Sequence, residues 1–373
     1  MNRLINSAIG SIAKKLASTV KKSKATAFFK KNILKKAPIL FIVIALPEQE
    51  PDIFISNFHL QIKHPDKERM LLDARMAKLF RDEKVGQLVY PNISLAAKND
   101  KDVYLMSSDE GIFDNEKNNF IFKRQCVLKT PEKFLLKTEE MKYIDETSEV
   151  FSDKFVSIEK EPDASPKPNF FVHGRGMRVS IREGLYGLEN QVTAKYFSDR
   201  KTTLSIQADS AKHFANAHRT QFYKNVVVDH SNFDLSGHTL DLQFLEKEMR
   251  IQSLELSNDP DKIEDRIRAK IRDFQIQSQG LSMKFNNSKQ PTNVVARGQV
   301  LAVSKKHQLK IRSQKLRFEK SNGREKILLD QGITITTKNQ RVAKSEKAII
   351  DPSSGDILLE GVASVSQLSL IHI

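Results

Sequence analysis

The sequence predicts an all-β protein, an elongated stack of two-strand repeats preceded by an amphipathic helix and a short apolar segment. Three observations carry that expectation. A pattern of apolar, x, small, x, x, small or apolar, x, apolar returns nine times between residues 72 and 350. Around it apolar residues alternate by two, the period at which successive strand side chains face opposite sides. Polar turns rich in Asn, Asp, Gly and Ser separate the alternating segments.

The N-terminus comes first. Of 373 residues 39% are hydrophobic and 29% charged, enough to bury a core and to exclude disorder throughout. The net charge of +15 is uneven: residues 1–36 carry ten cations and no Asp or Glu, leaving +5 for the rest. Leu4, Ile5, Ala8, Ile9, Ile12, Ala13, Leu16, Ala17 and Val20 fall on one helical stripe with lysines opposite, the pattern of a membrane-surface helix. Residues 37–47 then form an apolar run closed by Pro38 and Pro47, shorter than the roughly 20 residues of an ordinary membrane span. Its length and basic flank match the apolar region of a secretory signal or a short signal-anchor with its lysines on the cytoplasmic side. Leu46-Pro47-Glu48 is a poor cleavage site, which favours retention. The alternatives are a buried strand behind a solvated helix and an organellar transit peptide.

The nine motif copies begin at Leu72, Met106, Leu136, Val172, Ile206, Leu235, Ile276, Ile311 and Ala343, 29 to 41 residues apart. The three-residue step inside each copy predicts a bend or bulge where the strand changes its inward parity. A second alternating strand follows each copy after a polar turn. Several of these carry Asn or Gly just before a β-branched stretch, as at Asn225, Gly298, Gly332 and Gly361. Nine such units give about eighteen strands. Helical repeats share a period near 34 but not the alternation by two, and the turn and strand compositions are those of β structure. Residues 259–271, charged and with Ile263, Ile267 and Ile271 at i, i+4, i+8, are expected as a short helix or loop, and residues 159–168 as a loop. The polar stretch 198–203 divides two halves. The expected organisation is a leader 1–36, an anchor or signal segment 37–47, and β regions 48–197 and 198–373.

Catalytic and metal-binding patterns are missing. Cys126 is the one cysteine, so no intrachain disulfide forms. The pairs His59 and His64, and His213 and His218, have neither HExxH spacing nor cysteine partners for zinc. His173-Gly174-Arg175-Gly176 with Gly184 and Gly187 meets no phosphate-loop spacing, and these are read as turn glycines. Asp229, His230 and Ser231 supply triad residue types, but neighbours on a strand face opposite ways. Phe120-Ile121-Phe122-Lys123-Arg124 is the best local candidate for nucleic-acid contact and reads better as a core strand. No enzyme, metal, cofactor or nucleic-acid partner is expected.

Residues 50–197 resemble the lipopolysaccharide-export proteins of the LptC type. The resemblance rests on Leu72 to Leu79, Ser107-Ser108-Asp109-Glu110-Gly111, Phe120-Ile121-Phe122, the run Leu136 to Tyr143, and Val172 to Met177. Residues 204–366 are similar to the OstA/LptA type through the run Ile206 to Ala211, Phe222-Tyr223-Lys224-Asn225-Val226-Val227-Val228, and Leu358-Leu359-Glu360-Gly361-Val362. The resemblance implies a twisted, taco-like β-jellyroll held at the inner membrane by an N-terminal anchor and facing the periplasm. It also implies lipopolysaccharide as cargo, ABC-transporter subunits as donor, and an LptA-like bridge protein paired through an edge strand. On this reading Phe113, Phe120, Phe122, Leu136, Tyr143, Val226, Val228, Leu240, Leu242, Ile311 and Phe318 line a lipid-facing interior. A filled solenoid shows the same alternation, and a structural or adhesive β-solenoid organising an envelope partner is the competing reading.

Overall fold

The computed structural model describes residues 51, 53–62, 69–80, 84–96, 103–114, 116–161, 170–198, 201–245, 250–259, 261, 266–286, 291–321 and 324–367. The expected leader helix and apolar segment lie outside the described residues. Within them the chain is nearly all strand, with no α-helix.

The strands follow the alternating segments. They are β1 (Ile53–Ile62), β2 (Arg69–Leu79), β3 (Val85–Ala96), β4 (Val103–Ser107), β5 (Glu110–Asp114) and β6 (Asn119–Lys129). Next come β7 (Phe134–Ile144), β8 (Glu149–Lys160), β9 (Phe170–Ser180), β10 (Leu185–Ser198), β11 (Lys201–Ala208) and β12 (Ser210–Phe214). A 3-10 turn, Ala215–Ala217, leads to β13 (Arg219–His230), β14 (Phe233–Leu245), β15 (Arg250–Ser257), β16 (Ile267–Ile271), β17 (Phe274–Ser278) and β18 (Gly280–Phe285). The last are β19 (Pro291–Ser304), β20 (Leu309–Ser321), β21 (Arg324–Thr337), β22 (Arg341–Ile350), β23 (Ile357–Glu360) and β24 (Ser364–Gln367).

All ladders are antiparallel, and the chain meanders without crossing over. β3 pairs with both β4 and β5, and both pair with β6, so β4 and β5 are one line of chain broken at its middle. The same holds for β11 with β12, β15 with β16, β17 with β18, and β23 with β24. The 24 strands among the described residues, with five lines each split in two, therefore form 19 lines. The nine motif copies occupy every second line: β2, β4–β5, β7, β9, β11–β12, β14, β17–β18, β20 and β22. The two-strand unit read from the sequence is thus the repeating unit of the sheet, with β1 added at the start.

Almost every line bends at its middle, and there are two kinds of bend. In motif lines the three-residue step moves the inward set from one parity to the other: in β7 Leu136 and Thr138 are buried, then Met141 and Tyr143. Where the small residue carries a hydroxyl, it donates to the carbonyl two residues on. Ser108 reaches Glu110 O at 2.6 Å, Ser278 Gly280 O at 3.1 Å, Ser313 Lys315 O at 3.1 Å and Ser345 Lys347 O at 2.8 Å. These hydroxyl residues are buried, and a bend interrupts ladder bonds that a buried carbonyl needs. In the interleaved lines two residues turn left-handed instead: Arg124 and Gln125, Lys224 and Asn225, Gly298 and Gln299, Gln331 and Gly332. The Asn and Gly noted in the second strands sit at these corners, where they tolerate positive φ best.

The bends divide the lines into two layers packed face to face. The first layer holds β4, the second half of β6, the first half of β7 and so on to β24. The second holds β5, the first half of β6, the second half of β7 and so on to β23. The layers join along the spine of bends, and their hairpin lips meet on the opposite side. One apolar cluster runs between them from Met70 to Ile350. The β10–β11 ladder, with Lys195 opposite Ser205, carries the sheet past residues 198–201.

Two local expectations are corrected. Ile267–Ile271 is β16, not helix: Ile267, Ala269 and Ile271 face in while Arg268 and Lys270 face out. A spacing of four suits one helix face but is also even, so it equally suits one strand face. Gly174 and Gly187 are strand residues of β9 and β10, not turn glycines. At Gly174 a Cβ would lie 3.0 Å from the carbonyl oxygen of Asn190, so the bend there requires close backbone approach.

Candidate functional site

The interior between the layers is the candidate site. Phe113, Phe120, Phe122, Leu136, Tyr143, Val226, Val228, Leu240, Leu242 and Ile311 are each at most 4% exposed and face this interior. Phe318 is half-buried near the second-layer lip and packs against the same cluster. Strand alternation puts them there: each is the apolar member of an in-out pair, as in β6, where Phe120 and Phe122 are buried beside the less buried Ile121 and Lys123. They do not converge on a point. Phe113 stacks on Phe120 at 4.6 Å between ring centroids, and Phe120 lies 6.3 Å from both Phe122 and Tyr143. The Val226, Leu240 and Ile311 group lies further along the same cluster.

Near the lips a row of aromatic pairs spans the two layers. Phe134 meets Tyr186 edge-on at 6.4 Å, Tyr196 stacks with Phe244 at 5.9 Å, Phe233 meets Phe285 at 6.2 Å and Phe274 meets Phe318 edge-on at 5.6 Å. In each pair the first residue belongs to the first layer and the second to the other. Sequence reasoning named only Phe318 of these eight. The signal was present, since most of them stand within a few residues of a turn.

Polar groups join the row at two places. Tyr186 donates its hydroxyl to Glu132 Oε2 at 2.6 Å, and its oxygen lies 3.3 Å from that of Tyr104. Burial, followed by the neighbouring Tyr104 and Glu132, pushes the Tyr186 hydroxyl far above the ordinary phenol range. His213 packs against Phe134 and Tyr186, with Nδ1 2.8 Å from Thr220 Oγ1. Burial, with a smaller contribution from His218, lowers its pKa to about 4. Between Phe134, Phe170, Tyr186, His213 and Phe222 the mouth narrows to a cleft of about 40 Å³, room for little more than one water. Further along, a wider cleft of about 410 Å³ opens between the lips, floored by Phe233, Ile271, Val294 and Phe318 and bridged by an ion pair of Arg272 with Glu325.

Residue types that suggest chemistry do not assemble. His230 Nδ1 accepts from the Asn232 amide at 3.1 Å, so Asp229, His230 and Ser231 form a turn contact, not a triad. Asp273 accepts from Ser304 at 2.5 Å and lies 4.0 Å from His307, which places the carboxylate between hydroxyl and imidazole, so the imidazole is not the serine's acceptor. Among the described residues no group of three His, Cys, Asp or Glu side chains could hold a metal ion. Burial pushes the Cys126 thiol up to about 12, so it is a packed thiol rather than a nucleophile.

Residues 44–197 match the family of lipopolysaccharide-assembly, LptC-related proteins. That family is a non-catalytic component of lipopolysaccharide transport. The matched region takes in β1 to β9 and all but the last residue of β10, and the same unit of two differently bent lines continues beyond it to Gln367. No curated protein matches the chain. Among the described residues no helix is long and apolar enough to cross a membrane.

Proposed function

We propose that the protein is a non-catalytic carrier in lipopolysaccharide export. It accepts lipid from an inner-membrane ABC transporter, holds the acyl chains between its two layers, and passes them through an LptA-like partner towards the outer membrane. The observation that carries this reading is the LptC-related match combined with one unbroken apolar interior from Met70 to Ile350. The physical need is plain: an acyl chain of about 13 methylenes in water costs roughly 10 kcal/mol at about 0.8 per CH₂, so its carrier must offer continuous apolar contact. Two layers joined only along their bends supply that contact once the aromatic lips part. Residues 48–197 act as the LptC-like part and 198–373 as an OstA/LptA-like continuation. Residues 1–36 and 37–47 hold the chain at the inner membrane with its body facing the periplasm.

A second reading is a structural β-solenoid that organises an envelope partner. The narrow cleft and the filled space around Phe120 and Phe122 favour it. Site-specific photo-crosslinking in cells separates the two, with the probe at Phe122, Leu136 and Leu242 in turn and at outward-facing Lys137 as control. Lipid adducts at the three inward sites alone support transport. A folded protein with no adduct at any site favours the solenoid.

A further inference from the structure

The outer face of the first layer, from β16 to β22, has a charge distribution that neither the interior nor the edge strands use. Arg268 and Lys270 on β16, Lys310 and Arg312 on β20 and Lys344 on β22 all point to solvent and are exposed. Their ladders bring them together: Arg312 stands opposite Leu301 on one side and Thr334 on the other, and Thr334 stands opposite Lys344. The lip turns of the same layer add the exposed Lys305, Lys306 and Lys338. Among the described residues of these lines one exposed carboxylate, Glu346 at the β22 bend, shares the outward parity of Lys344, and Asp273 in the β16–β17 turn is held by Ser304. Among the described residues only Lys270 of these cations has a carboxylate partner, Asp234 on β14 at 3.9 Å.

The opposite face of the same lines is mixed, with the cations Lys284, Arg297, Lys326 and Lys347 standing among carboxylates. There Lys315 pairs with Asp330 at 3.6 Å and Arg317 with Glu319 at 2.9 Å, and Glu255 and Glu360 also face out. The excess is therefore concentrated on the first face, across six lines that span roughly 24 Å at the usual strand spacing.

We propose that this basic face docks on an anionic membrane surface. Charge complementarity sets the sign of the partner, and the makeup of the face sets its class. Between the cations lie Gln275, Gln277, Thr334 and Thr336 with the aliphatic Leu301 and Val303, and no aromatic side chain. Single-stranded nucleic acid is held by aromatic stacking platforms and protein partners by desolvated aromatic anchors, and this face has neither. Unpaired, independently placed cations suit an array of lipid phosphates. Each contributes about fivefold in partition near an anionic leaflet. The other all-basic region of the chain, residues 1–36, has the same sign, so a test of this face must hold the leader constant.

The test is partition of the full-length protein onto phosphatidylcholine vesicles doped with phosphatidylglycerol. Three proteins are compared, all retaining the leader: the wild type, the quadruple variant Arg268→Gln, Lys310→Gln, Arg312→Gln, Lys344→Gln, and a control of equal charge change, Lys284→Gln, Arg297→Gln, Lys326→Gln, Lys347→Gln. Matching urea transitions establish that all three fold. The face variant loses at least tenfold in partition and the control less than twofold. An environment-sensitive probe at Thr336→Cys shifts on vesicle addition while one at Leu328→Cys, on the opposite face, does not; Cys126 is buried and stays unlabelled. Equal partition of all three proteins assigns binding to the leader alone and overturns the proposal. So does a loss seen on immobilised polyglutamate but not on vesicles, which identifies an acidic protein partner instead.

Discussion

Tyr186 and Glu132 meet across the mouth of the molecule, the phenol on the second layer donating to a carboxylate in the β6–β7 turn of the first at 2.6 Å. With Tyr104 on the phenol oxygen and Phe134 against the ring, a single side chain ties the two lips together beside the small cleft. The bond is local, but it resists separation of the layers. It therefore bears on both stability and access to the interior.

Tyr186→Phe keeps the ring packing and removes the bond. A hydrogen bond to a charged group contributes about 1.5–3 kcal/mol, with the larger part lost when the partner stays buried. Since Glu132 is only half-buried, the variant is expected to lose about 1–2 kcal/mol in urea unfolding. Uptake of a fluorescent acyl amphiphile becomes faster. Unchanged stability together with unchanged uptake would show that the lips are held elsewhere, with the aromatic pairs the next place to look.

The bends make a separate prediction. Ser278→Ala removes a fully buried hydroxyl and leaves the Gly280 carbonyl without that donor. The expected loss is about 1 kcal/mol, and Ser313→Ala behaves alike because its geometry is the same. Gly237→Ala is worse, because its Cβ would lie 2.8 Å from Leu256 Cγ, and overpacking costs about 1–3 kcal/mol. Urea midpoints of the three variants, at constant m, give the ranking.

Much of this architecture was legible in the residues. The recurring small position predicted a parity change, and the bends occur there; Asn225, Gly298 and Gly332 marked the complementary corners. Inward residues such as Phe122 and Leu242 followed from alternation alone. The mouth was not legible, because Phe134 and Tyr186 lie 52 residues apart and meet only once the folded sheet closes on itself. Alternation gives a residue's side but not its distance from the lip. β16 was misread because a spacing of four satisfies both periodicities. The basic face was hidden for a related reason: net charge along the chain averages over two faces that the bends separate.

Stability depends on pH through His213. Its folded pKa of about 4 lies below the ordinary 6.5 because burial disfavours the imidazolium. Between those values the unfolded chain binds a proton that the folded one does not, so stability is complete above about pH 6.5 and falls as pH drops towards 4. The loss reaches about 3 kcal/mol at the low end. His213→Gln is expected to flatten that part of the profile in urea titrations between pH 4 and 7. A variant with the wild-type slope would assign the dependence to other groups, of which His230 shifts in the same direction through burial.

The terminal edges carry the last prediction. Among the described residues β1 pairs only with β2, and β23 and β24 only with β22, so both ends of the described meander present unpaired strand edges. At the C-terminal end Leu358 is 59% exposed, Val362 82% and Val365 68%, with no charge at these three positions to discourage strand addition. If a bridge partner adds there by strand pairing, backbone bonds supply affinity and these apolar side chains supply contact. Leu358→Lys with Val365→Lys places charge on the edge without entering the core, so the variant keeps the wild-type melting temperature but loses end-to-end association. Sedimentation velocity with an LptA-like partner measures this. Association that survives the lysines, but is lost on replacing Phe54 of β1, would move the docking edge to the other end of the meander.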